Sequence, residues 1–180
     1  MEPLERALCA RSKDAGSASP ETDGSAVPAG TLFAADFEGL TLLAVWAHPD
    51  DEAYLGAGLM SAVARAGGRV VCATASFGER GTDDPSIYPP ERLGAIRRSE
   101  LERSLATLGV QEDPIVLGYP DGDCGEVPDR VGARRVAALI EEVRPDLVLS
   151  FGPDGVTGHP DHQAVGRWTA LGVEAQSRPP

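Results

Sequence analysis

Leu42-Leu43-Ala44-Val45-Trp46-Ala47-His48-Pro49-Asp50-Asp51-Glu52 is the stretch on which the reading of this chain turns. Its first half is a continuous apolar run, the pattern of a strand buried on both faces. Pro49 holds His48 in extended backbone and suits the first turn of a helix. A strand therefore ends, and a helix begins, inside His-Pro-Asp-Asp. Beyond it Leu55, Leu59, Val63 and Ala66 recur at helical spacing until Gly67-Gly68 stops the helix. Residues 69–75 read as a second strand, which completes a right-handed βαβ unit.

Outward from there the alternation continues. Residues 76–90 form a long polar loop, of a length that compact domains keep for function or leave disordered. Residues 91–108 predict a helix with Leu93, Ile96, Leu101, Leu105 and Leu108 on or near one face. Residues 114–117 read as a strand, 129–143 as a helix, 146–151 as a strand and 164–175 as a last helix. This order predicts an α/β fold: a Rossmann-like, doubly wound, mostly parallel sheet with strand order 3-2-1-4. In that order strands one and four are neighbours at the switch point, where such sheets bind ligands. Strand one leads into His48-Pro49-Asp50-Asp51, and the loop after strand four delivers His159-Pro160-Asp161-His162. All three histidines of the chain lie in these two clusters.

Two imidazoles and a carboxylate that leave a coordination position open are a catalytic zinc arrangement. His48 and Asp51, three apart across a helix start, can face one point, with His162 as the third ligand. Asp50 is then free of the metal and placed to act as general base on a metal-activated water. His159 could hold a developing oxyanion or donate a proton, and Asp161 could orient an imidazole from behind. Taken singly, each residue has a plainer reading, as a surface turn or a helix cap. Trp46 reads as core and Glu52 as a first-turn acid favoured by the helix dipole. Glu79, Arg80, Asp83 and Asp84 are either a pocket rim or a solvated loop.

Composition narrows the partners. The 180 residues carry a formal net charge of −12 and show no basic stripe, which argues against nucleic acid. No apolar run reaches the ~20 residues of a membrane span. Cys9, Cys72 and Cys124 have neither metal-type spacing nor a disulfide pattern, so a cytoplasmic setting is expected. Residues 1–36, rich in Ala, Ser, Gly and Pro, are expected to be a disordered extension, with the domain at 37–180. A nucleotide-binding domain is disfavoured because the first strand-to-helix turn is not glycine-rich.

From about Leu42 to Gly166 the chain resembles the LmbE-like or PIG-L-like zinc-dependent N-deacetylases. The resemblance rests on Ala47-His48-Pro49-Asp50-Asp51-Glu52 and Gly158-His159-Pro160-Asp161-His162. Between them, in family order, stand Gly78-Glu79-Arg80-Gly81, Arg97 with Glu100-Leu101, and Leu117-Gly118-Tyr119-Pro120-Asp121-Gly122. It implies removal of an acetyl group from an N-acetylglucosamine-type amino sugar or its conjugate, a small-molecule substrate. The cofactor implied is zinc, with iron(II) as the alternative ion. It also implies His48, Asp51 and His162 as metal ligands, Asp50 as base and His159 as oxyanion stabiliser or acid. Arg97 and Asp121 would be substrate contacts. Neighbouring expectations are an amidase acting on a thiol or sugar conjugate, and a metal- or sugar-binding module without turnover. Thr157 departs from the tyrosine that glucosaminyl-inositol deacetylases carry there. The family domain also continues past the point matched by Pro180, so its C-terminal part is expected to be missing. No feature of the sequence indicates an oligomeric state.

Overall fold

In the computed structural model, which describes residues 37–176, the apolar run becomes β1 (Thr41–Trp46), with every residue from Leu42 to Trp46 buried. The expected extension at 1–36 lies outside the described residues. β2 (Arg69–Thr74), β3 (Ile115–Val116) and β4 (Leu147–Leu149) complete a parallel sheet in the order β3-β2-β1-β4. The predicted order 3-2-1-4 is the observed one. β1 and β2 pair from Thr41↔Arg69 to Trp46↔Thr74, and β4 joins the other side of β1 from Leu42↔Leu147 to Ala44↔Leu149.

The helices are α1 (Ala57–Arg65), α2 (Pro90–Leu108), α3 (Asp129–Val143) and α4 (Pro160–Gln176). The strand order carries the chain outward from β1 to β3, and α3 then brings it back past β1 to β4; parallel crossovers are by general rule right-handed. α1 and α2 therefore cover one face, and α3 and α4 the other. Leu101 and Leu105 of α2, Val136 of α3 and Trp168 of α4 are buried with β1 and β2 in one core. α2 ends at Gly109, whose φ of +88° supplies a left-handed cap. Among the described residues no helix is long and apolar enough to cross a membrane.

Two local expectations are corrected. The first helix does not start as a regular α-helix: Glu52–Gly56 form a π-helical turn before α1. The wider turn shifts the register of the apolar face. Leu55, expected to face the core, is 40% exposed, and Gly56 and Met60 are buried instead. A Cβ on Gly56 would lie 2.6 Å from the Trp46 ring, so only a bare backbone fits there. The last helix begins at Pro160 rather than near residue 164, so Asp161 and His162 belong to its first turn and not to a loop. Proline is favoured at that first position because its missing N–H would be unpaired there in any case.

α3 and α4 meet at Gly132, where an added Cβ would lie 2.0 Å from Cδ2 of the fully buried Trp168. Gly132→Ala should therefore cost about 1–3 kcal/mol through overpacking, read as a lowered midpoint in urea unfolding. Gly58→Ala, in α1 with open space around its Cα, is the control: it should leave stability unchanged or raise it by up to about 1 kcal/mol.

Candidate active site

Parallel strands deliver their exits to one edge, and both histidine clusters lie there. After β1, the His48 N–H donates to Asp51 Oδ2 at 2.9 Å, which folds the Asp51 carboxylate back over the turn. His48 and Asp51 are both buried, at 9% and 5% exposure. After β4, the His162 ring stacks on Phe151 with centroids 4.3 Å apart and an interplanar angle of 15°.

The hydrogen-bond partners settle which ring nitrogens carry protons. His162 Nδ1 lies 3.0 Å from the Gly155 carbonyl, which can only accept, so Nδ1 is the donor and Nε2 keeps its lone pair. His48 Nε2 lies 3.1 Å from Asp161 Oδ2 and 3.1 Å from Asp121 Oδ1, both acceptors, so the neutral ring presents its lone pair at Nδ1. These two lone-pair nitrogens face each other at 3.3 Å. The Asp51 carboxylate completes the group, with Oδ1 3.3 Å from His162 Nε2 and Oδ2 3.7 Å from His48 Nδ1.

Three acceptors crowded together repel unless a cation sits among them. A tetrahedral ion with bonds of about 2.0–2.1 Å has ligand–ligand edges of about 3.3–3.4 Å. The Nδ1···Nε2 separation of 3.3 Å matches such an edge, and with one oxygen of Asp51 the three donor atoms lie within 4.8 Å of one another, so the donor set fits a zinc-like ion. A second group of His48, His159 and Asp161 also lies within ligating distance, but it would require Asp161, whose oxygens are already engaged. Asp161 is fully buried, and its Oδ1 accepts from the Cys124 N–H at 3.0 Å and its Oδ2 from the Gly122 N–H at 2.8 Å. Burial pushes its carboxyl up, but His48 and the Gly122 amide hold it below the ordinary range. Asp161 thus stands behind the His48 imidazole, the position that orients a metal-ligating ring and strengthens it as a donor.

Around this group lies a cavity of about 370 Å³ with Asp50, Arg80, Arg97, Asp121 and His159 on its walls. Asp50 is half exposed, and burial raises its carboxyl above the ordinary value, with Arg97 opposing and Asp51 adding. Arg97, on α2, donates from Nη2 to Asp50 Oδ2 at 2.5 Å and to the Pro49 carbonyl at 2.6 Å, and from Nη1 to the Gly78 carbonyl at 3.1 Å. Its guanidinium fits only because residue 81 is glycine: a Cβ there would lie 2.4 Å from Nη1. His159 is exposed, and its Nδ1 accepts from the Asp161 N–H at 3.1 Å, so the neutral ring bears its proton at Nε2. Asp121, besides touching His48, accepts from the Arg80 N–H at 2.8 Å. Thr157 Oγ1 is 3.4 Å from His162 Nδ1.

His48, Asp50, Asp51, Arg97, Asp121, His159, Asp161 and His162 are therefore all at this edge, although Asp121 faces His48 as well as the cavity, while Asp83 and Asp84 are exposed and do not line it. Arg80 falls on the wall rather than in solvent alone. Sequence reasoning missed the Gly155 carbonyl and the Gly122 and Cys124 amides, because backbone groups have no side-chain signature. Glu52, read as a first-turn acid, is one, and it is also buried, at 1% exposure.

Burial alone would lower the His48 pKa, but hydrogen bonds to Asp121 and Asp161 and the charges of Asp121 and Asp51 raise it from 6.5 to about 9. The folded, chelator-treated protein then keeps a proton that the unfolded chain releases near 6.5. That stabilisation is full below pH 6.5 and is lost as pH rises through about 9. Urea unfolding of chelator-treated protein should show stability falling across this window, and His48→Gln should flatten the fall. Metal competes with the same proton, so metal affinity should rise over the same range.

Known proteins place this geometry. Residues 43–171 match the family model described as PIG-L, GlcNAc-PI de-N-acetylase. A 1D-myo-inositol 2-acetamido-2-deoxy-alpha-D-glucopyranoside deacetylase of Corynebacterium diphtheriae is 34% identical over 146 residues, covering 71% of this chain and 50% of its own length. One from Mycobacterium sp. is 35% identical over 154 residues, with coverages of 74% and 50%. The chain thus spans about half the length of the curated relatives it matches. Among solved structures, N,N'-diacetylchitobiose deacetylase from Pyrococcus horikoshii superposes with a TM-score of 0.63 at 31% identity, covering 74% of this chain and 49% of that one. GalB, the 4-carboxy-2-hydroxymuconate hydratase from Pseudomonas putida, superposes at 0.60 with 22% identity and coverages of 74% and 55%, a likeness of fold alone. One fold therefore hosts different chemistries, and the site must carry the argument for function. On the family match over 43–171 and on both sequence relatives, the chain belongs to the PIG-L deacetylase family.

Proposed function

We propose that this chain bears the active site of a metal-dependent N-deacetylase that hydrolyses the acetamide of an N-acetylglucosamine-type sugar or its conjugate. The observation that carries the reading is the convergence of His48 Nδ1, Asp51 and His162 Nε2 beside the half-exposed Asp50 carboxylate. His48, Asp51 and His162 would hold zinc, or iron(II) as the alternative. Such an ion, when bound, polarises a carbonyl and lowers the pKa of water to about 7.

The rest is the work of side chains. Asp50 accepts the proton of the attacking water. Its raised pKa makes it a stronger base than an ordinary aspartate, and Arg97 keeps its carboxylate at the cavity wall. His159 presents its Nε2–H to the amide oxygen as negative charge develops there, and the proton that Asp50 took from the water passes to the departing amine. Asp161 holds the His48 ring throughout. Asp121, Arg80 and Arg97, which line the cavity, would offer acceptors and donors to sugar hydroxyls. The deacetylase relatives named above support acetylated amino sugars as the substrate class.

Metal analysis of purified variants tests the ligand set: His48→Ala and His162→Ala should each lose bound metal. Unchanged content in both would remove the site. Asp50→Asn should keep its metal while kcat for an N-acetylglucosaminyl conjugate falls by about 10²–10⁴-fold. A retained rate would eliminate Asp50 as base.

A further inference from the structure

Asp50 has a backbone φ of +106°, a conformation that non-glycine residues rarely adopt, and such strain costs about 1–3 kcal/mol. Something must hold it there. The peptide group between Pro49 and Asp50 is gripped at both ends. Its carbonyl accepts from Arg97 Nη2 at 2.6 Å, and its N–H donates to Glu52 Oε2 at 2.9 Å. The angle φ of Asp50 measures how this peptide plane is turned relative to the Asp50 Cα. Fixing the plane by carbonyl and N–H together therefore fixes φ. Turning the plane over would bring φ to ordinary negative values, but would break both hydrogen bonds and leave the 1%-exposed Glu52 carboxylate without this donor.

We infer that Glu52 is a positioning residue: with Arg97 it clamps the 49–50 peptide and so aims the Asp50 carboxylate at the cavity. Two features support more than a packing role. Arg97 binds the same turn a second time, through Asp50 Oδ2, so backbone and side chain of Asp50 are referred to one guanidinium. The turn also runs directly into the π-helical segment Glu52–Gly56, whose first residue is the clamp itself. Widened helical turns of this kind occur often at functional sites, where they place a side chain that a regular helix could not. The positioning role rests on the reading of Asp50 as base; the clamp on the backbone does not.

The test compares two substitutions that both fill the buried space. Glu52→Met removes the acceptor, and Glu52→Gln removes the charge but keeps an oxygen that can accept the Asp50 N–H. In metal-loaded protein, Glu52→Met should lower kcat on the order of 10–100-fold through misplacement of the base, with KM changed less than about twofold and metal content unchanged. Glu52→Gln should restore most of kcat. In crystal structures, Asp50 φ should be negative in Glu52→Met and positive in Glu52→Gln. A positive φ in Glu52→Met, or a Gln variant as impaired as the Met variant, overturns the inference. If metal-loaded wild-type protein cleaves no acetamide, the deacetylase reading fails, while the φ values of the two variants still decide the clamp.

Discussion

The pairing of β1 with β4 is the constraint on which the site depends. It is a short contact, from Leu42↔Leu147 to Ala44↔Leu149, yet it makes two strands far apart in sequence leave the sheet side by side. Parallel direction sends both exits to the same edge, so His48 and His162 can approach to 3.3 Å. The approach also needs α4 at the right height, because His162 lies in its first turn. That height is set by the core, where Trp168 is seated against Gly132 of α3, and by Gly166, whose added Cβ would lie 3.0 Å from the Phe151 carbonyl. The approach of the two histidines is thus held by core packing that reaches up to the His162 ring through Phe151.

The second feature of the site is how it tolerates its acids. Asp51, Glu52, Asp121 and Asp161 are all buried at one edge of a chain that already carries a net charge of −12. Each has a backbone donor: the N–H of His48 for Asp51, of Asp50 for Glu52, of Arg80 for Asp121, and of Gly122 and Cys124 for Asp161. Backbone amides cannot move away as long side chains can, so the carboxylates are fixed before anything binds. Hydrogen bonding of this kind offsets desolvation while leaving the negative field in place. The field favours a cation among the ligands, and in the absence of metal it favours a proton on His48. Asp50 differs from the other acids: it is half exposed, its partner is a side chain, and its backbone is strained.

Much of this was legible in the sequence. The apolar run at Leu42, the helical spacing of Leu101 and Leu105, and the glycine at 109 each report on elements whose signal is local. Strand order followed from the alternation of elements and the handedness of crossovers, and with it the meeting of the two histidine clusters. Three things were not legible. The π-helical turn adds a fraction of a turn that periodicity cannot register, so Leu55 was assigned to the wrong face. The start of α4 was masked because its first turn is made of polar site residues without an apolar pattern. The burial of Glu52 could not be read either, because a first-turn acid carries no local signal of what packs over it.

By itself, the sequence determined which residue types stand at which strand exits, because apolar runs and turn residues act over a few positions. It also determined that two carboxylates would flank the first histidine. Only the tertiary structure decided which ring nitrogen of each histidine faces the other, since Gly155 and Asp161, which settle the tautomers, are brought close by packing. It likewise decided that Asp161 meets the Nε2 side of the His48 ring and that Asp50 is held at positive φ. Hydrogen-bond direction depends on ångström-scale placement of groups from separate elements, and such placement is a property of the packed core, not of any stretch of chain within it.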